Sequence, residues 1–201
     1  MAYNYNQERH TQFFNDIATY NNQTTMLDRG MPRHNLRVAG TYEFPIGKGR
    51  RYLNGLPRAV DAVVGGWASS SIFAFRSGDL LNFSNSAAQM ACNPTQNIPT
   101  GDYFNPACFQ PLPAYTVRTN PWFYSGLRGP ILWDIDATLA KTISINERFK
   151  LELRLEAYNL TNTFMPSDPD LGVGDGTMGR STWVAGGNYG REIQYTAKIH
   201  F

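Results

Sequence analysis

Six charged residues at alternate positions are the densest chemistry in the chain: Asp134 and Asp136, then Lys150, Glu152, Arg154 and Glu156. Carboxylates at such spacing could act as general acid and base, with the cations holding an anionic substrate. Their alternation with Trp133, Ile135, Leu151, Leu153 and Leu155 points elsewhere. On a strand every second side chain shares a face, so the charges form one wall instead of a converging site. The expected role is a lumen-facing ladder, with Lys150 to Glu156 paired across strands to Asp134 and Asp136.

Other candidates are weaker. Asp168, Asp170 and Asp175 could offer oxygen ligands to a calcium ion, but their spacing is not that of an EF-hand loop and no Glu closes it. Gly174-Asp-Gly-Thr-Met-Gly179 has the glycines of a dinucleotide loop without the preceding strand and following helix. His10, His34 and His200 fall on separate segments, with no spacing that suits a metal. No Gly-x-Ser-x-Gly is present to mark a nucleophile. Gly47-Lys-Gly-Arg-Arg51 is a basic surface turn, not a phosphate-binding loop. The expectation is a chain with no catalytic residues, no metal site and no cofactor.

The composition bounds the class. The 201 residues carry a formal charge of +2, with 42% apolar, 17% charged and 13% aromatic side chains. Such a charge gives no reason to expect nucleic acid. No run approaches the roughly 18 apolar residues of a membrane helix. A β-barrel stays open, because its strands alternate and look polar on average. Cys92 and Cys108 lie in a Pro/Asn-rich stretch with no Cys-x-x-Cys. A loop disulfide is the natural reading and implies an oxidising compartment; two unpaired thiols are the alternative. The N-terminal residues lack the basic start and apolar run of a signal peptide.

Period-2 alternation sets the elements. Strands are expected at His34–Phe44, Trp67–Arg76, Leu132–Ile145, Phe149–Ala157 and Arg191–Phe201, with a marginal one at Tyr3–Arg9. The Trp67–Arg76 strand could extend to Phe83, and Lys141 interrupts the otherwise apolar face of Leu132–Ile145. Between them, residues 10–33, 84–130 and 163–189 read as long loops, and 45–65 and 144–148 as shorter links. If strands run up and down, the long loops fall at one end and the short links at the other, as in outer-membrane barrels. Tyr189, Trp133, Phe149 and Phe201 would sit at the interfacial girdles. The loop aromatics Tyr103, Phe104, Phe109, Tyr115, Trp122, Phe123 and Tyr124 could stack on a ligand. The preferred expectation is that they pack the loop on itself around Cys92 and Cys108. Leu153→Arg, on the lipid face, is expected to cost roughly 2–4 kcal/mol near the bilayer centre.

Particular blocks carry a resemblance. Tyr195, Ala197, Ile199 and the terminal Phe201 look like the C-terminal signal read by the barrel-assembly machinery. Arg37-Val-Ala-Gly-Thr-Tyr-Glu-Phe-Pro-Ile-Gly-Lys-Gly-Arg50, Val64-Gly-Gly-Trp67 and Phe104-Asn-Pro-Ala-Cys-Phe109 follow in order. So do Gly126-Leu-Arg-Gly-Pro130, Arg154-Leu-Glu-Ala-Tyr-Asn-Leu-Thr-Asn162 and Gly190-Arg-Glu-Ile-Gln194. Together they resemble the C-terminal barrel part of Oar-like TonB-dependent receptors. The resemblance implies a bacterial outer-membrane location and active uptake of a scarce substrate such as a siderophore or carbohydrate. The barrel would have about 22 strands around a plug, with energy passed through TonB.

Residues 1–201 then read as an antiparallel up-and-down barrel segment of about six strands, an incomplete barrel without the plug. Small complete barrels need about eight strands, and open edges are not tolerated in hydrocarbon. The partners expected are outer-membrane lipid, the missing N-terminal barrel and plug of the same receptor, the TonB system and the assembly machinery. The alternative is a secreted or surface β-sandwich that binds carbohydrate.

Overall fold

A computed structural model describes residues 1–17, 21–27, 31–146, 148–185 and 190–201. Six strands form the main sheet: β1 (Ala2–Tyr5), β4 (His34–Glu43), β5 (Trp67–Arg76), β10 (Leu132–Ser144), β11 (Lys150–Tyr158) and β12 (Glu192–His200). They pair in chain order, every neighbour antiparallel. This is the up-and-down sheet the alternation predicts. It does not close into a barrel: β1 and β12 each have an outer edge with no partner among the described residues.

Register sorts the side chains strictly. One row runs Tyr42, Ser69, Leu139, Leu155 and Tyr195 across five strands; another runs Trp67, Lys141, Leu153 and Ala197. Val38, Phe73 and Ile135 lie on the same face two rows above the first. A one-residue slip would exchange this apolar set for Thr41, Ser70, Thr138, Glu156 and Gln194, so the pattern fixes the register. No second sheet covers the apolar face among the described residues, and Leu139, Leu155, Tyr195 and Ile199 stay exposed on it. A β-sandwich would bury these residues.

Three elements depart from expectation. Tyr3–Arg9 is not one strand: β1 ends at Tyr5, and Arg9 opens a hairpin of β2 (Arg9–Phe13) and β3 (Gln23–Leu27). These strands are largely polar, with a Thr11–Thr25 hydroxyl contact of 3.3 Å across the pair, so no apolar period announces them. β5 does not run on to Phe83; it stops before Ser77-Gly78. A Cβ at Gly78 would collide with the Gly129 carbonyl, so the two ends of the connection from β5 to the next main strand meet there backbone to backbone. The third is α1 (Arg58–Val64), seven residues following Pro57 and ending at Gly65, too short to show a helical period.

The short links are 44–66 and 145–149, and the long connections 6–33, 77–131 and 159–191 meet at the opposite end. That second end holds the buried core. Leu81, Phe83, Ala88, Phe104, Cys108, Phe109, Leu127 and Met178 form one cluster there, and Leu80 with Phe123 another. Across the described residues, no apolar side chain of the six main strands is fully buried. The sheet therefore offers its apolar face outward, while the loops fold like a small domain of their own.

Candidate functional site

The polar face comes first. Asp134 and Asp136 lie opposite Ala74 and Ile72 of β5, and Arg37 of β4 lies beyond Ala74. On β11, Glu156 faces Thr138, Arg154 faces Ala140, Glu152 faces Thr142 and Lys150 faces Ser144. The expected pairing of this ladder to Asp134 and Asp136 is therefore not made. The β10 strand is 13 residues long, and its acidic pair sits nearer its other end than the residues that β11 faces. The ladder pairs locally instead. Glu152 accepts from Arg154 Nε and, at 3.3 Å, from His200 Nε2 on β12. Asp136 accepts the Asn159 amide at 2.9 Å and starts the third long connection. The charges share a face, as the alternation predicts, but they line a wall and do not converge.

That third connection turns on Asn159 and Asn162, both at positive φ (49° and 52°), which Asn tolerates better than most residues. The Asn159 side chain accepts from Thr163 N at 2.8 Å and donates to Thr163 O at 2.9 Å. The chain then returns to the cap, where the Tyr103 amide donates to Gly179 O and Arg180 meets Asp102 at 2.7 Å. Gly174-Asp-Gly-Thr-Met-Gly179 is turn and loop, and residues 180–184 after it carry no helix. Met178 enters the core there, and Gly179 has φ +88°.

The second connection supplies most of the cap. β6 (Leu80–Asn82) pairs with β9 (Phe123–Arg128), and β7 (Ala88–Met90) pairs with β8 (Phe109–Pro111). Cys92 and Cys108 are joined in a disulfide beside that pair. Phe83 stacks on Phe109 at 5.1 Å and meets Phe104 and Tyr124 edge-on. Of the seven loop aromatics, Phe104, Phe109 and Phe123 are buried; Tyr103, Trp122 and Tyr124 pack against them; Tyr115 is fully exposed. Burial pushes the Tyr124 hydroxyl well above its ordinary range. The hairpin joins the cap through Trp122 N to Phe14 O and an Arg118–Asp16 pair of 2.7 Å.

Asn120 is a structural centre the sequence reading overlooked. Fully buried, it donates to Ser86 O and accepts from Ala88 N, closing the loop between β6 and β7. Asn120→Ala strands both groups in a dry interior and should destabilise the cap by about 1–3 kcal/mol. Faster amide exchange at Ala88, with the sheet unchanged, is the expected result.

Of the three loop aspartates, Asp168 and Asp170 part company. Asp170 accepts from Thr177 Oγ1 and Gly172 N, which hold its carboxyl below the usual range. Burial, then the nearby Asp79 charge, raises Asp168 against the opposing pull of Arg76. Among the described residues no three acidic, His or Cys side chains are placed to hold a metal ion. The two shifts have opposite signs. Asp170 stabilises the cap above its unfolded pKa, and that contribution is lost as pH falls through its folded value. Asp168 favours the protonated fold, so its penalty appears as pH rises past its unfolded pKa. At neutral pH, Asp168→Asn should raise the urea midpoint of the cap and Asp170→Asn should lower it.

Tyr195, Ala197 and Ile199 occupy the apolar face of β12, with Tyr195 79% exposed, and Phe201 follows the strand. Trp133 and Phe149 stand near opposite ends of the sheet, and Tyr189 lies outside the described residues.

An antiparallel meander with a bare apolar face, a charged opposite face and long loops gathered at one end is the wall of an outer-membrane β-barrel. The chain belongs to the outer membrane beta barrel domain family, whose model matches residues 3–194. It is a bacterial outer-membrane protein, in contact with lipid through the apolar face. No curated protein and no solved structure gave a match.

Proposed function

We propose that the chain is the C-terminal barrel segment of an Oar-like TonB-dependent receptor and contributes to active uptake of a scarce substrate. The observation that carries this reading is the geometry of the wall. Six strands whose two outer edges have no partner among the described residues are too few to close, and hydrocarbon does not tolerate unpaired strand edges. Further strands must complete the barrel, and the charged face then fronts a wide lumen able to hold a plug. In this role the chain does no bond chemistry. It supplies lipid-facing strands, lumen wall and the loop cap; TonB acts through the plug; Tyr195, Ala197, Ile199 and Phe201 address the assembly machinery.

The test is to read the coding sequence upstream of the Met1 codon. In-frame continuation into a plug and further alternating strands is the expected result. An in-frame stop there, with a soluble, monomeric and cooperatively folding 201-residue product, would overturn the proposal.

A further inference from the structure

The link between β4 and β5, residues 44–66, contains the basic turn and α1 and lies at the short-link end. In outer-membrane barrels that end faces the periplasm, which puts the link at the level of the inner leaflet. It is tied to the lipid-facing row of the sheet. Lys141 donates its ammonium to Gly65 O and lies 5.5 Å from the Trp67 ring centre. Trp67 Nε1 donates to Val63 O at 2.9 Å. Lys141 and Trp67 pair in the row that continues to Leu153 and Ala197.

The exposed side of the link has two chemistries. Val60 and Val63 of α1 are 43% and 67% exposed, and Tyr52 and Leu53 stand out from the preceding turn. Lys48, Arg50, Arg51 and Arg58 are all exposed. Against them stand Glu43, which Arg50 meets at 2.8 Å, and Asp61, whose carboxylate accepts the Lys48 amide at 2.6 Å. Arg51 lies over the Tyr52 ring at 5.4 Å. Apolar side chains beside a surplus of cations, continuous with a lipid face, match the boundary between headgroups and acyl chains.

We infer that this link is an anchor for anionic phospholipid of the inner leaflet. Val60 and Val63 enter the acyl boundary, and Arg51 and Arg58 meet the headgroup phosphates. The inference rests on the outer-membrane placement and not on the transport reading.

Two measurements on protein in native outer membranes test it. A nitroxide on Val63→Cys should be reached by oxygen in preference to an aqueous nickel chelate, whereas one on Lys48→Cys should show the reverse. After extraction in mild detergent, native mass spectrometry should find phosphatidylglycerol retained. Arg51→Ala with Arg58→Ala should cut that retention on the order of tenfold. Lys150→Ala, a cation of the polar face at the same end, should leave it unchanged. Unheated gel mobility verifies that each variant is folded. Aqueous accessibility at Val63, which would mark a surface for a periplasmic protein, overturns the inference. So does equal retention in the double variant.

Discussion

Leu155→Arg should lower barrel stability by about 2–4 kcal/mol, because it puts a charge at the bilayer midplane. Leu155 is the residue to change because of its row. Tyr42, Ser69, Leu139 and Tyr195 share that row, which lies between the row of Ala137, Ala157 and Ile193 and the row of Trp67, Lys141 and Leu153. Leu153, chosen from alternation alone, lies in the row of Lys141 and Trp67, toward the short-link end. A cation is already accommodated there against Gly65 O. Arginine at 153, only about 7 Å along the strand from 155, should therefore cost roughly 1 kcal/mol less than at 155. Glu156→Gln, next to Leu155 but on the charged face, should be close to neutral. Urea unfolding in lipid vesicles separates the three. Equal cost at 153 and 155 would mean that the depth assignment is wrong.

The same residues show where the sequence was legible. Alternation in Lys150–Tyr158 and Glu192–His200 is strict, and both strands formed in that register. A period of two says which face a side chain takes, but nothing of how far along the neighbouring strand its partner lies. Register along the strand comes from the connections, so alternation alone does not reveal that Asp134 and Asp136 lie opposite Ala74 and Ile72. The loops were legible only as composition. Aromatics around two cysteines foretold self-packing, but β6 to β9 are three to six residues each, too short for a period. Asn120 carried a faint signal, an Asn before Pro121 that could turn the chain inward. Met178 carried none, since its burial is decided by a loop distant in sequence.

Phe83→Ala should be the most damaging single truncation in the chain, at about 3–5 kcal/mol for the cap. Its ring is fully buried and touches Phe104, Phe109 and Tyr124, which come from different turns of the second connection. Those three cannot collapse into the space together. Phe104 and Phe109 flank Cys108, which is disulfide-bonded to Cys92, and Tyr124 is held on β9 with its hydroxyl against Met90 Sδ at 3.3 Å. The cavity therefore stays open, at the upper end of the cost. The effect should be confined to the cap. The sheet contributes no fully buried apolar side chain to this core and is held by its own ladder and by lipid. Limited proteolysis from the cell surface should cut residues 84–119 rapidly in the variant, while heat-resistant gel mobility of the barrel persists. Loss of both together would show that cap and wall fold as one unit. Survival of both would show that the cap draws little from its aromatic core.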